Sequence, residues 1–195
     1  MESTDAPTES GTRSRTRTAI LEAAIAALAD DAAASLGDIA QRAAVGRSTL
    51  HRYFPERADL VRAVAREAMQ RVDQSIERAE PDSGPFLAAV RRTVDALLEY
   101  GPIVMFLYSD PLVVADKEFW GEGDEQEDSV LDRLFAREEA RFRPGLTPEW
   151  ATSVFWAILY SGWEAVKAGT MGRREVVDAI ITTFAGGVLQ DGAGD

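Results

Sequence analysis

The residues best suited to chemistry in this chain are basic and hydroxylic. Arg47, Ser48, His51 and Arg52 recur at one-, three- and four-residue intervals, which places them together on the outer face of one short helix. Such a face suits docking into the major groove of DNA. Covalent chemistry has little to work with. There is no cysteine and a single histidine, His51. Disulfides, zinc–thiolate sites and multi-histidine metal sites are therefore excluded. Most nucleophile–base pairs are missing too, and no paired carboxylate site stands out among the many acids. The sequence implies no enzyme, no cofactor and no metal.

The charge balance agrees with nucleic acid only once it is divided along the chain. The formal net charge is −12. Yet residues 10–66 carry nine arginines against six acids, whereas residues 81–195 carry ten Lys or Arg against twenty acids. Displacing counterions from DNA needs local positive charge, not a basic whole chain. Acid elsewhere keeps the protein soluble and repels DNA from the wrong face.

The elements that must carry these residues all read as helix. Apolar residues Ile20, Leu21, Ala24, Ile25 and Leu28 predict a first amphipathic helix over about 15–28. Ser35 and Asp38 have the spacing of a capping box and open a short helix with Leu36, Ile39, Ala40 and Ala43. A second short helix over about 47–54 ends at Pro55. A longer one follows, with Leu60, Val61, Val64, Ala68, Val72 and Ile76 on one side. Further helices are predicted over about 86–100, 130–143, 147–168 and 173–190, with an apolar segment over 102–108. Alternating strand patterns are absent, so the fold class is all-α. The domain reading is a disordered tail over 1–12 and a DNA-binding domain with its connector helix over 13–80. A second helical domain follows over 81–190, then a polar tail over 191–195. The first twelve residues are polar with three acids, and the apolar stretch over 151–163 is too short to span a bilayer, so a cytoplasmic protein is expected.

The helix, three-residue turn and helix over about 35–54 form a helix-turn-helix, with Ile39, Ala40, Ala43, Val45 and Leu50 where the two helices cross. Together with the flanking helices, residues 15–70 resemble the DNA-binding domain of the TetR family. The match runs in one register through Ile39-Ala40, Val45, Ser48-Thr-Leu-His-Arg-Tyr-Phe54 and Arg57-Ala-Asp-Leu60. Ala44 stands where the family usually has Gly, and His51 where it usually has Tyr. The resemblance implies a dimeric transcriptional regulator, usually a repressor, released from a palindromic operator by a small hydrophobic effector. It implies base reading by Arg47, Ser48 and Arg52, the arginines by bidentate bonds to guanine. It implies phosphate contacts by Thr49, His51, Tyr53 and Arg57. Arg13, Arg15 and Arg17 precede the predicted first helix, as an arm able to reach phosphates or the minor groove.

The second half carries no motif of its own, but its aromatic load is high. Met105, Phe106, Tyr108, Trp120, Phe155, Trp156, Tyr160 and Trp163 are the candidates for lining an effector pocket. Trp120 lies in a loop that also holds five acids over residues 121–128, without the ligand spacing of an EF-hand. The last two helices are expected to pair with their copies across a two-fold axis, with Gly162, Ala165, Gly186 and Gly187 allowing close approach. The competing reading is a helical small-molecule-binding protein without DNA-binding activity.

Overall fold

The computed structural model describes residues 6–116 and 130–190. Ten α-helices follow one another in the described residues: α1 (Ala6–Asp30), α2 (Leu36–Arg42), α3 (Arg47–Tyr53), α4 (Arg57–Arg78), α5 (Phe86–Leu97), α6 (Gly101–Ser109), α7 (Pro111–Val114), α8 (Val130–Arg137), α9 (Pro148–Lys167) and α10 (Arg173–Val188). The all-α expectation holds, and the one β-like feature among these residues is an isolated bridge between Phe142 and Leu189. No helix among them is long and apolar enough to cross a membrane.

Helix boundaries follow local chemistry. The Ser35 hydroxyl accepts from the Asp38 amide at 3.2 Å while the Asp38 carboxylate accepts from the Ser35 amide at 2.9 Å, so the capping box forms as predicted. Thr147 caps α9 by accepting from the Trp150 amide, and Pro148 opens the helix where its missing N–H costs nothing. Three boundaries differ from the sequence reading. The first helix begins at Ala6 rather than near Arg15, with Pro7 in its first turn, so the segment expected to be disordered is helical from Ala6 to Thr12. Helix α8 stops at Arg137 and α10 at Val188, both short of the predicted ends. Here tertiary pairing wins over periodicity: the Arg143 amide donates to the Val188 carbonyl at 2.8 Å and the Gln190 amide to the Arg141 carbonyl at 2.9 Å.

The helices group into two compact units, Met1–Met69 with Ile103–Glu122, and Gln70–Pro102 with Gly123–Asp195. The division falls inside α4, not at the Pro81–Pro85 break, because a continuous helix can change its packing partners without any break in its backbone. In the first unit Ile20, Leu21, Ala24 and Leu28 of α1, Ile39 and Ala40 of α2, Leu50 and Phe54 of α3, and Leu60, Val61 and Val64 of α4 are buried.

The second unit is organised by aromatic rings. Phe86, Phe135, Phe155 and Phe184, one each from α5, α8, α9 and α10, are at most 1% exposed. Their centroids lie 5.4–6.4 Å apart in tilted and edge-on pairs, which suit the ring quadrupoles. Two glycines set close approaches. A Cβ on Gly162 would lie 2.7 Å from Val176 and 2.8 Å from Ile180, so this residue seats α10 on α9 of the same chain; the expectation that it serves contact between copies is corrected. A Cβ on Gly101 would lie 2.3 Å from Cδ1 of Trp163. That indole is buried and donates from Nε1 to the Leu97 carbonyl at 3.2 Å, so it has nowhere to move. Gly101→Ala is therefore expected to cost about 1–3 kcal/mol of stability by overpacking. An unchanged denaturation midpoint would contradict the seat.

Candidate nucleic-acid interface

The geometry of the first unit begins at the turn between α2 and α3. Ala43 is the last residue of helical backbone, and Ala44 takes the left-handed region at φ +54°. The Ala44 amide donates to the Gln41 carbonyl at 3.1 Å and the Val45 amide to the Ala40 carbonyl at 3.0 Å. These are the two bonds of a Schellman ending, which normally has glycine at the left-handed position. Gly46 then caps α3 in an extended conformation.

Leu50 is 2% exposed and Phe54 4%, so α3 is anchored by the face that carries them. Arg47, Ser48, His51 and Arg52 are exposed on the other side, as the sequence predicts. Thr49 and Tyr53 are half-buried. The Arg52 guanidinium lies over the Tyr53 ring at 5.7 Å from its centroid, and Arg17 stands over Phe54 at the same distance.

Four of the predicted contacts sit differently from expectation. Arg13, Arg15 and Arg17 do not precede the first helix but lie within α1, exposed, with Arg15 donating to Thr12 Oγ1 at 3.2 Å. The helix continues upstream of them, so they are helix residues rather than a flexible arm, with Arg13 and Arg17 on one side of α1 and Arg15 on another. Arg57 is half-buried, and its guanidinium donates to the Ala34 carbonyl at 2.6 Å and the Ala32 carbonyl at 3.1 Å. It ties the α1–α2 loop to the start of α4, a role with no periodic signal in the sequence. Arg42 adds an exposed ion pair to Asp30 at 2.8 Å, of small energetic weight. Asp38 has its carboxyl held below the usual range by the Ser35 hydroxyl and amide and, more weakly, by the Arg47 charge.

The residues expected to line an effector pocket do not share one environment. In the first unit Met105 is half-buried, Phe106 buried and Tyr108 50% exposed. In the second, Phe155 belongs to the aromatic core and Trp163 packs against Gly101. Trp156 is half-buried, edge-on to Phe155 at 5.7 Å, and Tyr160 is 44% exposed. Helical spacing alone put Trp156, Tyr160 and Trp163 on one face; depth in the packed unit separates them. Trp120 and the acidic run over 121–128 lie outside the described residues. A cleft of about 320 Å³ in the second unit is lined instead by charged groups, among them Arg78, Arg92, Asp95, Glu99 and Arg173. Its arginines are occupied: Arg92 donates to the carbonyls of Ala79, Glu80 and Ser83, and Arg173 to Asp95. None of the aromatic candidates lines it.

A short helix, a left-handed three-residue turn and an anchored second helix with a polar outer face define a helix-turn-helix DNA-binding protein. The comparisons with known proteins say which kind. Residues 20–64 match the family model for bacterial regulatory proteins of the tetR family. Over 184 residues the chain is 50% identical to the HTH-type transcriptional repressor LfrR of Mycolicibacterium smegmatis, covering 93% of this chain and 94% of that protein. The crystal structure of LfrR from Mycobacterium smegmatis in complex with proflavine superposes with a TM-score of 0.77 at 46% identity, over 90% of this chain and 98% of that one. Native NalD, the secondary repressor of the MexAB-OprM multidrug efflux pump in Pseudomonas aeruginosa, shares the fold at a TM-score of 0.63 and 22% identity, over 93% and 99% of the two chains. The chain belongs to the TetR family. It is a DNA-binding transcriptional regulator.

The turn itself yields a test. Left-handed backbone costs an L-residue about 1–2 kcal/mol, partly offset by the greater unfolded-state freedom of glycine. Ala44→Gly is therefore expected to stabilise the protein by about 0.5–1 kcal/mol, seen as a raised denaturant midpoint at unchanged slope. A lowered midpoint would show that the Ala44 methyl makes packing contacts worth more than the strain.

Proposed function

We propose that the chain is a homodimeric repressor that holds a two-fold-symmetric operator through paired α3 helices and is released from it by a small aromatic effector. One observation carries the DNA part. The side chains able to read bases, Arg47, Ser48 and Arg52, are exposed on a helix whose opposite face is locked by buried Leu50 and Phe54. Rigid backing with free donors is what direct readout requires. Arg13 and Arg17, spaced i,i+4 on α1, and the hydrogen-bonding groups of Thr49, His51 and Tyr53 supply phosphate contacts. Arg57 is assigned to holding the loop rather than to phosphate.

The effector part is supported by the 46%-identical relative seen with proflavine. An aromatic cation also suits the acidic excess of residues 81–195, which carry twenty acids against ten bases. The dimer is supported by apolar side chains left exposed on α9: Trp150 at 57%, Tyr160 at 44% and Val166 at 42%. On α10, Gly186 and Gly187 have, beyond their chain neighbours and own helix backbone, no atom of the described residues within 4 Å of a would-be Cβ, which leaves room for another helix to approach.

A labelled duplex enriched by the protein from a randomised pool should be bound with steep salt dependence. Arg52→Ala should lose about 1–3 kcal/mol on that duplex and much less on a shuffled one. Equal loss on both would make Arg52 a phosphate contact.

Proflavine should displace the duplex, and by linkage saturating duplex should weaken proflavine binding by the same factor, ~5- to 150-fold for a typical coupling. Proflavine affinity unchanged by duplex would rule out release by this compound.

Light scattering at micromolar concentration should give a dimer, and Tyr160→Asp should shift it toward monomer by burying an unpaired charge at the contact. A monomeric parent protein would refute the assembly.

A further inference from the structure

Glycine is a poor choice inside a helix, yet Gly37 occupies the second position of α2. The capping box on either side of it needs only Ser35 and Asp38. The backbone at Gly37 is helical, without the positive φ that would call for glycine. What the missing side chain makes room for is Arg47. A Cβ at position 37 would lie 3.0 Å from Nη2, 3.3 Å from Cζ and 3.3 Å from Nε of that arginine. The Nε–Nη2 edge of the guanidinium therefore comes up against the bare Cα, in the space a methyl group would take.

The group held there is otherwise uncommitted. Among the described residues no hydrogen bond or ion pair engages Arg47. The Asp38 carboxylate, which feels the Arg47 charge, already accepts from the Ser35 amide and hydroxyl. So Asp38 attracts the guanidinium through space without occupying its donors. Arg57 and Arg92 show the opposite case, with their donors spent on backbone carbonyls. A long side chain that is oriented by such a contact, with its N–H groups unspent, has lost part of its rotamer freedom before DNA arrives.

We propose that Gly37 is a positioning residue for DNA readout: its bare Cα leaves room for the Arg47 guanidinium to rest against the first turn of α2, pre-aligned for a base in the groove that α3 enters. The proposal rests on the DNA-reading role of α3. It also explains why a residue of poor helix propensity stands in so short a helix. A Cβ at position 37 obliges the guanidinium to give by a few tenths of an ångström or more, while the backbone at that position stays helical.

The test compares the parent chain with Gly37→Ala, Arg47→Ala and the double variant. Each is titrated by fluorescence anisotropy against a labelled duplex that the parent enriches from a randomised pool, and against a shuffled duplex. Gly37→Ala should bind the enriched duplex about tenfold more weakly, the scale of one misplaced base contact, and the shuffled duplex within about twofold. Its thermal midpoint should equal or exceed the parent's, because alanine favours the helix; stability and affinity then move in opposite directions, which a merely structural role would not produce. In the Arg47→Ala background the same substitution should change nothing further. If Arg47→Ala leaves binding of the enriched duplex intact, the DNA-reading role of Arg47 fails and the seat with it. If Arg47→Ala weakens binding while Gly37→Ala does not, or if Gly37→Ala weakens it equally with and without Arg47, the reading role stands and the seat is refuted.

Discussion

The DNA-binding surface depends on the angle at which α3 leaves α2, and two backbone hydrogen bonds across Ala44 set that angle. The amides of Ala44 and Val45 close back on Gln41 and Ala40, which forces the chain through a left-handed residue and turns it sharply. Once that turn is made, Leu50 falls into the core with Ile39 and Ala40, and the rotation of α3 about its own axis is decided. Which side chains face outward is then a consequence. Arg47, Ser48, His51 and Arg52 are exposed because Leu50 and Phe54 are not. A small residue at position 40 and a strained one at position 44 thus serve the same end, a close and fixed crossing.

Arginine does several distinct jobs in this chain, and geometry separates them. Arg57 and Arg92 satisfy carbonyls at the ends of helices and loops, where a fork of donors can bridge two or three acceptors at once. Arg42 and Arg173 pair with exposed carboxylates, at little gain in stability. Arg17 and Arg52 lie over aromatic rings, and Arg47 lies against a glycine. The arginines whose N–H groups are unspent among the described residues have donors available to other partners, which a count of basic residues in the first third of the chain does not distinguish.

The second unit shows how little tolerance a helical core leaves around aromatic groups. Four phenylalanines meet in its centre, and the Trp163 indole is accommodated because Gly101 has no side chain. Close packing of this kind gives rings of one helix quite different surroundings. Phe155 and Trp163 are buried and bonded within the unit, whereas Trp150 and Tyr160, one or two turns away on the same helix, remain exposed. The difference lies in rotation about the α9 axis, which residue type does not encode.

The sequence by itself determined what depends on local pattern. Periodicity placed most of the helices to within a few residues, Ser35 with Asp38 marked one start to the residue, and the run from Ile39 to Phe54 identified the helix-turn-helix. These signals are legible because helix capping and turn geometry act over three or four neighbouring residues. The tertiary structure alone decided the rest. It ended α8 and α10 early through the bridge between Phe142 and Leu189, and it bound Arg57 to carbonyls more than twenty positions away. It also split one aromatic stripe into core and surface, and it laid Arg47 on Gly37. Each of these joins residues distant along the chain, and their encounter is fixed by how whole helices pack rather than by any interval in the sequence.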